Sequence, residues 1–364
     1  MKARKYIVIL LAGITLSMSL TACAQIQAQP ATSIPATEAD NEHFVFTDSV
    51  GREVELPVNI ERITPSGPLA QIFLYTLAPN HLVGLASEMT ETQLQFMDSH
   101  FRYLPVFGNF SAGTLNLESV MFAAPQVIID IGQITASTTD DMQDLQDRTG
   151  IPTIFIHVDD MQTMRIAYAT LGEILGVKEQ AENLINYITD HVVPIIDRAA
   201  IIPETERRTV FYAQNDGLTA VIAGSIHADV IDFAGGINVA DVEQTIRGGA
   251  AEISMEQLLL WQPDLILFAP GSIYDTVATL SEWHGLTAIQ EGRFYEIPFA
   301  PYDWMGRPPS ANRLLGISWL ANLLYPEIFP FDMIEETKIF FRLFYHYDIT
   351  NAQVEVLLAK SSLR

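Results

Sequence analysis

Residues 115–130 read LNLESVMFAAPQVIID, and residues 253–269 read ISMEQLLLWQPDLILFA. Each stretch carries a Glu (Glu118, Glu256) at the head of an apolar run with helical spacing. Each then meets a proline (Pro125, Pro263), which stops a helix, and closes on a short burst of β-formers. A helix–strand unit written twice predicts two lobes of like architecture, both α/β with parallel strands and helices on the faces.

Working outward, FVFTDSVGREVELP (44–57) alternates apolar and polar residues around a DSVG turn and predicts a β-hairpin. ERITP and LVGLAS predict strands on either side of the helix LAQIFLYTLA. DDMQDLQDRTG predicts a helix ending at Gly150, and PTIFIHV a strand. From Met161 to about Ala200 no strand pattern intervenes. Ala181, Leu184, Ile185, Ile188 and Val192 form one helical stripe, with Glu182, Asn183 and Asn186 facing away. A helix of that length bridges two lobes, with Pro194 expected to kink or end it. Strand–helix alternation then resumes with TVFYAQ, DLILFA and RFYEIP. The apolar helix RLLGISWLANLLYP follows, and then an amphipathic tail that should pack back on a lobe.

The chain's first residues predict a targeting segment. Lys2, Arg4 and Lys5 precede an apolar stretch too short for a good membrane span, which ends in LTAC. Cys23 is the chain's one cysteine, so it has no disulfide partner; Leu-x-Ala-Cys resembles a bacterial lipobox. The expected organisation is a signal peptide at 1–22, a lipid-anchored flexible tether at 23–42 and a first lobe at 43–160. A helical segment with the linking helix follows at 161–202, then a second lobe at 203–330 and a helical tail at 331–364. With 20 Lys+Arg against 44 Asp+Glu the net charge is −24, and the basic leader residues leave with the signal peptide. So acidic a surface argues against nucleic acid and against anionic lipid as partners.

In this order and spacing, DSVGREVELP, the paired NLESV/PQVII and SMEQL/PDLIL units, the long central helix and PPSANRLLGISWLA resemble a known family. It is the extracytoplasmic substrate-binding lipoproteins of ABC importers for iron chelates, haem and cobalamin. The resemblance implies two Rossmann-like lobes joined by a single long α-helix, with the ligand in the cleft between them. It also implies one docking Glu per lobe, here Glu118 and Glu256, meeting basic pockets on the two permease subunits. The implied location is extracytoplasmic, anchored to the cell membrane through lipid on Cys23, with the protein a monomer.

Ligands of doubly wound sheets meet the loops at the carboxyl ends of strands. The richest such loop is APYDWMGRPPSANR, where Tyr302 and Trp304 offer aromatic faces beside Arg307, a combination suited to a bulky anion. Arg247 between Ile246 and Gly248, and Tyr212 at a strand end, are further candidates; Arg313 reads better as a structural cap. The eight His residues show no pair at ligand spacing, and His157 reads as a structural histidine, so no protein-bound metal or cofactor is expected. The leading expectation is capture of a metal chelate such as a ferric siderophore, haem or cobalamin. A small oxyanion such as molybdate or tungstate is the alternative, and a non-transport surface or sensor lipoprotein a distant one. No Walker loop, Gly-x-Ser-x-Gly elbow or cysteine nucleophile supports an enzyme.

Overall fold

The computed structural model describes residues 43–362; the expected signal peptide, Cys23 and the tether lie outside the described residues. The chain opens on the hairpin of β1 (His43–Thr47) and β2 (Glu53–Pro57), with Phe44 opposite Leu56. Asp48 folds the turn by accepting from the backbone N–H of Val50 and Arg52. The Arg52 guanidinium then bonds Asp48 Oδ2 at 3.1 Å and the Thr153 carbonyl at 2.9 Å. The polar turn thereby clamps the hairpin onto the sheet of the first lobe.

That sheet has three parallel strands in the order β3 (Ile63–Pro65), β4 (Val127–Gly132), β5 (Thr153–His157). The expected strand over LVGLAS is reduced to isolated bridges, Leu82 to Ile63 and Leu85 to Val106. The second lobe holds β6 (Thr209–Gln214), β7 (Thr219–Val221), β8 (Ile237–Asn238), β9 (Ala250–Glu252), β10 (Leu265–Phe268) and β11 (Phe294–Glu296). Their order is β11-β10-β6-β7-β9, with β8 also on β6. Here the all-parallel expectation needs correction, because β7 runs antiparallel to both β6 and β9. The cause is local: Asn215 and Gly217 take positive φ and return the chain as a tight hairpin, where a helical crossover was expected.

The two stretches that open the sequence fold alike. Leu117–Ala123 and Met255–Trp261 are seven-residue helices, capped by Asn116 and Ser254 through the backbone N–H of Ser119 and Gln257. Each ends on a left-handed residue, Ala124 or Gln262, just before its proline. The residue after each proline then ties the neighbouring strand: Gln126 accepts from the N–H of Glu61 and Arg62, and Asp264 from that of Thr209.

The linking helix runs through Lys178–Tyr187, Ile188–Val192 and Val193–Ala200, roughly 35 Å at 1.5 Å per residue. Pro194 does not end it. A proline ring collides with the carbonyl four residues back, and the wide π turn at Ile188–Val192 opens the helix at that place. Ala181, Leu184, Ile188 and Val192 are buried and Ile185 partly so, as the stripe predicts. One apolar cluster carries this helix together with Phe73 and Tyr168 of the first half and Leu315 and Trp319 of the second.

The tail departs from its expectation by packing on both lobes. Tyr345 of the helix Met333–Tyr345 meets Tyr75 on one side and Tyr302 on the other. Farther on, Lys360 accepts from the Glu296 N–H at the end of β11, and Ser361 accepts from the Trp319 indole at 2.7 Å.

Candidate functional site: a basic cleft at the strand ends

The carboxyl ends of β6, β10 and β11 open into a cavity of 680 Å³ walled by Gln214, Arg247, Phe299, Asp303 and Arg307. Arg307 is fixed there. Its Nη2 donates to the Gly248 carbonyl at 3.2 Å, and Gln214, with its amide oxygen turned to the guanidinium, accepts from Nη2 and Nε at 3.2 and 3.1 Å. Arg247, exposed, lines the same cavity just ahead of Gly248 and Gly249. Gly249 has no alternative: its φ is +70°, and a Cβ would lie 1.9 Å from the Ser225 Oγ.

Beneath Arg307 lies Asp303, only 3 % exposed. Burial raises its pKa to about 6, against the pull of the Met305 N–H, which donates to Oδ1 at 2.7 Å, and of the Arg307 charge. The cavity is therefore a cationic rim over a carboxyl that titrates in the mildly acidic range. Such a site suits an anion with a planar or apolar body, which Phe299, 45 % exposed, is free to cover.

A second cavity of 340 Å³ has walls from both lobes, with Gln133, Asp159 and Asp160 facing His227, Pro309 and Arg313. Arg313 is held by Asp229 at 3.0 Å and lies over the Phe233 ring. The His227 Nδ1 lies 2.8 Å from the Gly306 carbonyl, and burial lowers its pKa. His157 pairs with Asp159 at 3.2 Å, at the end of β5. In the first lobe the Ser66 hydroxyl donates to Asp130 at 2.5 Å, where burial raises the carboxyl's pKa.

Arg307 and Arg247 thus line one cavity, which is walled by residues of the second lobe, where a cleft between the lobes was expected. The aromatic platform is a different residue from the expected ones. Trp304 is 1 % exposed, its indole N–H donating to the Ala300 carbonyl. Its backbone is packed against Gly316, where a Cβ would lie 1.9 Å from the Trp304 carbonyl oxygen. Tyr302 packs into the core beside Tyr345, and Tyr212 is buried next to Gln214 and Arg307. None of these three rings lines the cavity, and Phe299 is the ring presented to it. Sequence reading passed over Phe299, Asp303 and Gln214; the signal for Asp303 was an acid set between two aromatics beside an Arg.

Glu118 and Glu256 are exposed in the first turn of the paired helices, and hydrogen bonds from its own backbone N–H and the Ser254 hydroxyl lower the Glu256 pKa. Among the described residues no group of three His, Cys, Asp or Glu side chains gathers as a metal site. No described helix is long and apolar enough to cross a membrane.

A profile of the periplasmic binding protein family matches residues 92–301. An ABC transporter solute binding protein from Sulfurospirillum deleyianum DSM 6946 shares 30 % identity and superposes with a TM-score of 0.79, covering 86 % of this chain and 99 % of that one. An uncharacterised ABC transporter substrate-binding lipoprotein of Bacillus subtilis (strain 168) is 23 % identical over 59 % of this chain and 67 % of its own length. The molybdate periplasmic binding protein MolA of Haemophilus influenzae, solved with molybdate, is 20 % identical and has the same fold at a TM-score of 0.67, with 84 % of this chain and 99 % of that one covered.

Proposed function

The chain belongs to the periplasmic binding protein family, as a solute-binding protein of an ABC importer, and on that premise we propose that it captures an anionic metal chelate. One observation carries the chelate: Arg307 and Arg247 face a 680 Å³ cavity with Phe299 on its wall. That volume suits a ligand with an organic body, since pockets for drug-sized ligands run about 300–1,000 Å³. A bare cation would meet two guanidinium groups there. The metal therefore arrives already wrapped, its chelator carrying the negative charge and the flat or apolar surface.

A small oxyanion is the second reading, favoured by the same two arginines and by the backbone of Gly248 and Gly249 beside them. MolA supports it only through the shared fold. Titration calorimetry of the purified protein with ferric siderophores, haem, a corrinoid, nickel–histidine, molybdate and tungstate separates the two. One saturable response to a chelate is expected; a response to the oxyanions alone overturns the chelate.

Delivery completes the proposal. Glu118 and Glu256 register the loaded protein on the two permease subunits. Each exposed ion pair contributes only about 0.2–1 kcal/mol, so the pair sets orientation more than affinity. Lipid on Cys23 holds the protein, as a monomer, on the outer side of the cell membrane.

A further inference from the structure

Glu118 and Glu256 are not the only side chains the two short helices hold out in common. On each helix the residue four positions later, on the same face, is a large apolar side chain left in solvent: Phe122 is 93 % exposed and Leu260 80 % exposed. The inward face is matched too, with Val120 and Leu258 both fully buried. Scattered exposed apolar residues are ordinary on any protein. Here two of them occupy equivalent places in a repeated unit, each beside an equivalent carboxylate.

Neither exposure comes from a loose end. Arg62 donates to the carbonyls of Ala123 and Ala124 and holds the end of the first helix. Gln262 does the same for the second, donating to the Leu259 and Gly285 carbonyls and accepting from the Thr287 N–H. Each apolar group stands on a pinned platform at a fixed offset from its Glu. No contact among the described residues accounts for that.

We propose that Phe122 and Leu260 are apolar anchors, entering matching apolar sockets beside the cationic groups of a two-subunit membrane permease. The inference rests on the docking reading of Glu118 and Glu256 and adds the part of the interface that salt does not screen. A carboxylate and an apolar group on one helix face ask for a partner that offers a cation next to an apolar recess. Two such faces, one per lobe, ask for that offer twice, as two like subunits make it.

Photocrosslinking in native membranes tests this with the full chain. A benzophenone side chain replaces Phe122 in one protein and Leu260 in another, and both should form adducts with the same membrane-spanning polypeptide. Adding Leu260→Ser to the first protein, or Phe122→Ser to the second, should cut the adduct about tenfold, the weight of one buried apolar side chain. Reversing Glu118→Arg and Glu256→Arg should reduce it to background. Adducts that survive the serine substitutions undiminished but vanish on charge reversal would overturn the anchors and leave the docking reading standing. Adducts indifferent to both changes, or formed only with a second copy of this chain, would overturn both.

Discussion

Asp303 lies buried against Arg307 on the wall of one cavity, a carboxyl whose pKa of about 6 meets a guanidinium of permanent charge. The folded value is raised from 3.8, so between pH 3.8 and 6 the folded chain keeps a proton that the unfolded chain has released. The contribution of Asp303 to stability is fully present below that window and is lost as pH rises through it, by at most about 3 kcal/mol. Melting curves across pH 4–7 should show wild type losing stability relative to Asp303→Asn as pH rises. Ligand binding should follow the same axis: above about pH 6 the ionised Asp303 competes for Arg307 and weakens an anionic ligand. An Asp303→Asn variant with an unchanged pH profile would remove Asp303 from the site.

Arg307 is positioned by Gln214 and the Gly248 carbonyl before any ligand arrives. Its removal in Arg307→Ala should weaken the chelate about ten- to a hundredfold, the range of one charged hydrogen-bonding group. Lysine should not restore it, since a point charge cannot hold Gln214 and ligand together. Calorimetry on the ligand found by titration reads both, with Arg247→Ala, an exposed side chain, expected to cost less.

Gly249 makes the basic wall possible. Gly249→Ala should destabilise the protein by about 1–3 kcal/mol, through positive φ and the contact with Ser225. Adding Ser225→Gly removes the contact and should return part of the loss, visible as a partial recovery of Tm. No recovery would assign the whole effect to the backbone.

The Arg52–Asp48 pair is buried, the carboxylate completely. Arg52→Ala should cost about 3–5 kcal/mol by leaving that charge unpaired and freeing the hairpin from the Thr153 carbonyl. Urea unfolding should show a lower midpoint at an unchanged slope. A shift below about 1 kcal/mol would mean the turn's backbone N–H groups alone satisfy Asp48.

The repeat was legible because helix and strand periods leave marks that survive in isolation: Glu118 and Glu256, Pro125 and Pro263, the β-formers behind them. Buried stripes such as Leu184, Ile188 and Val192 were legible for the same reason. The cleft was legible only by residue type. Arg307 and Arg247 do line it, but nothing periodic governs PYDWMGRPP, so which of its rings turns inward is decided by distant partners. Trp304 is buried, its backbone seated against Gly316 of a later helix, while Phe299 stays out. Asp303 needed the tertiary burial that raises its pKa, and no local pattern encodes burial. The β7 return was signalled by QNDG, whose Asn and Gly make a hairpin turn, and the surrounding helix–strand rhythm masked it.

The tail that touches Tyr75, Trp319 and Glu296 has one more consequence. It is synthesised after both lobes, so each lobe can take shape with a bare apolar seam still waiting for its cover. Ribosome order therefore makes the tail's cover a late step of folding, reached after the linking helix has already joined the two lobes.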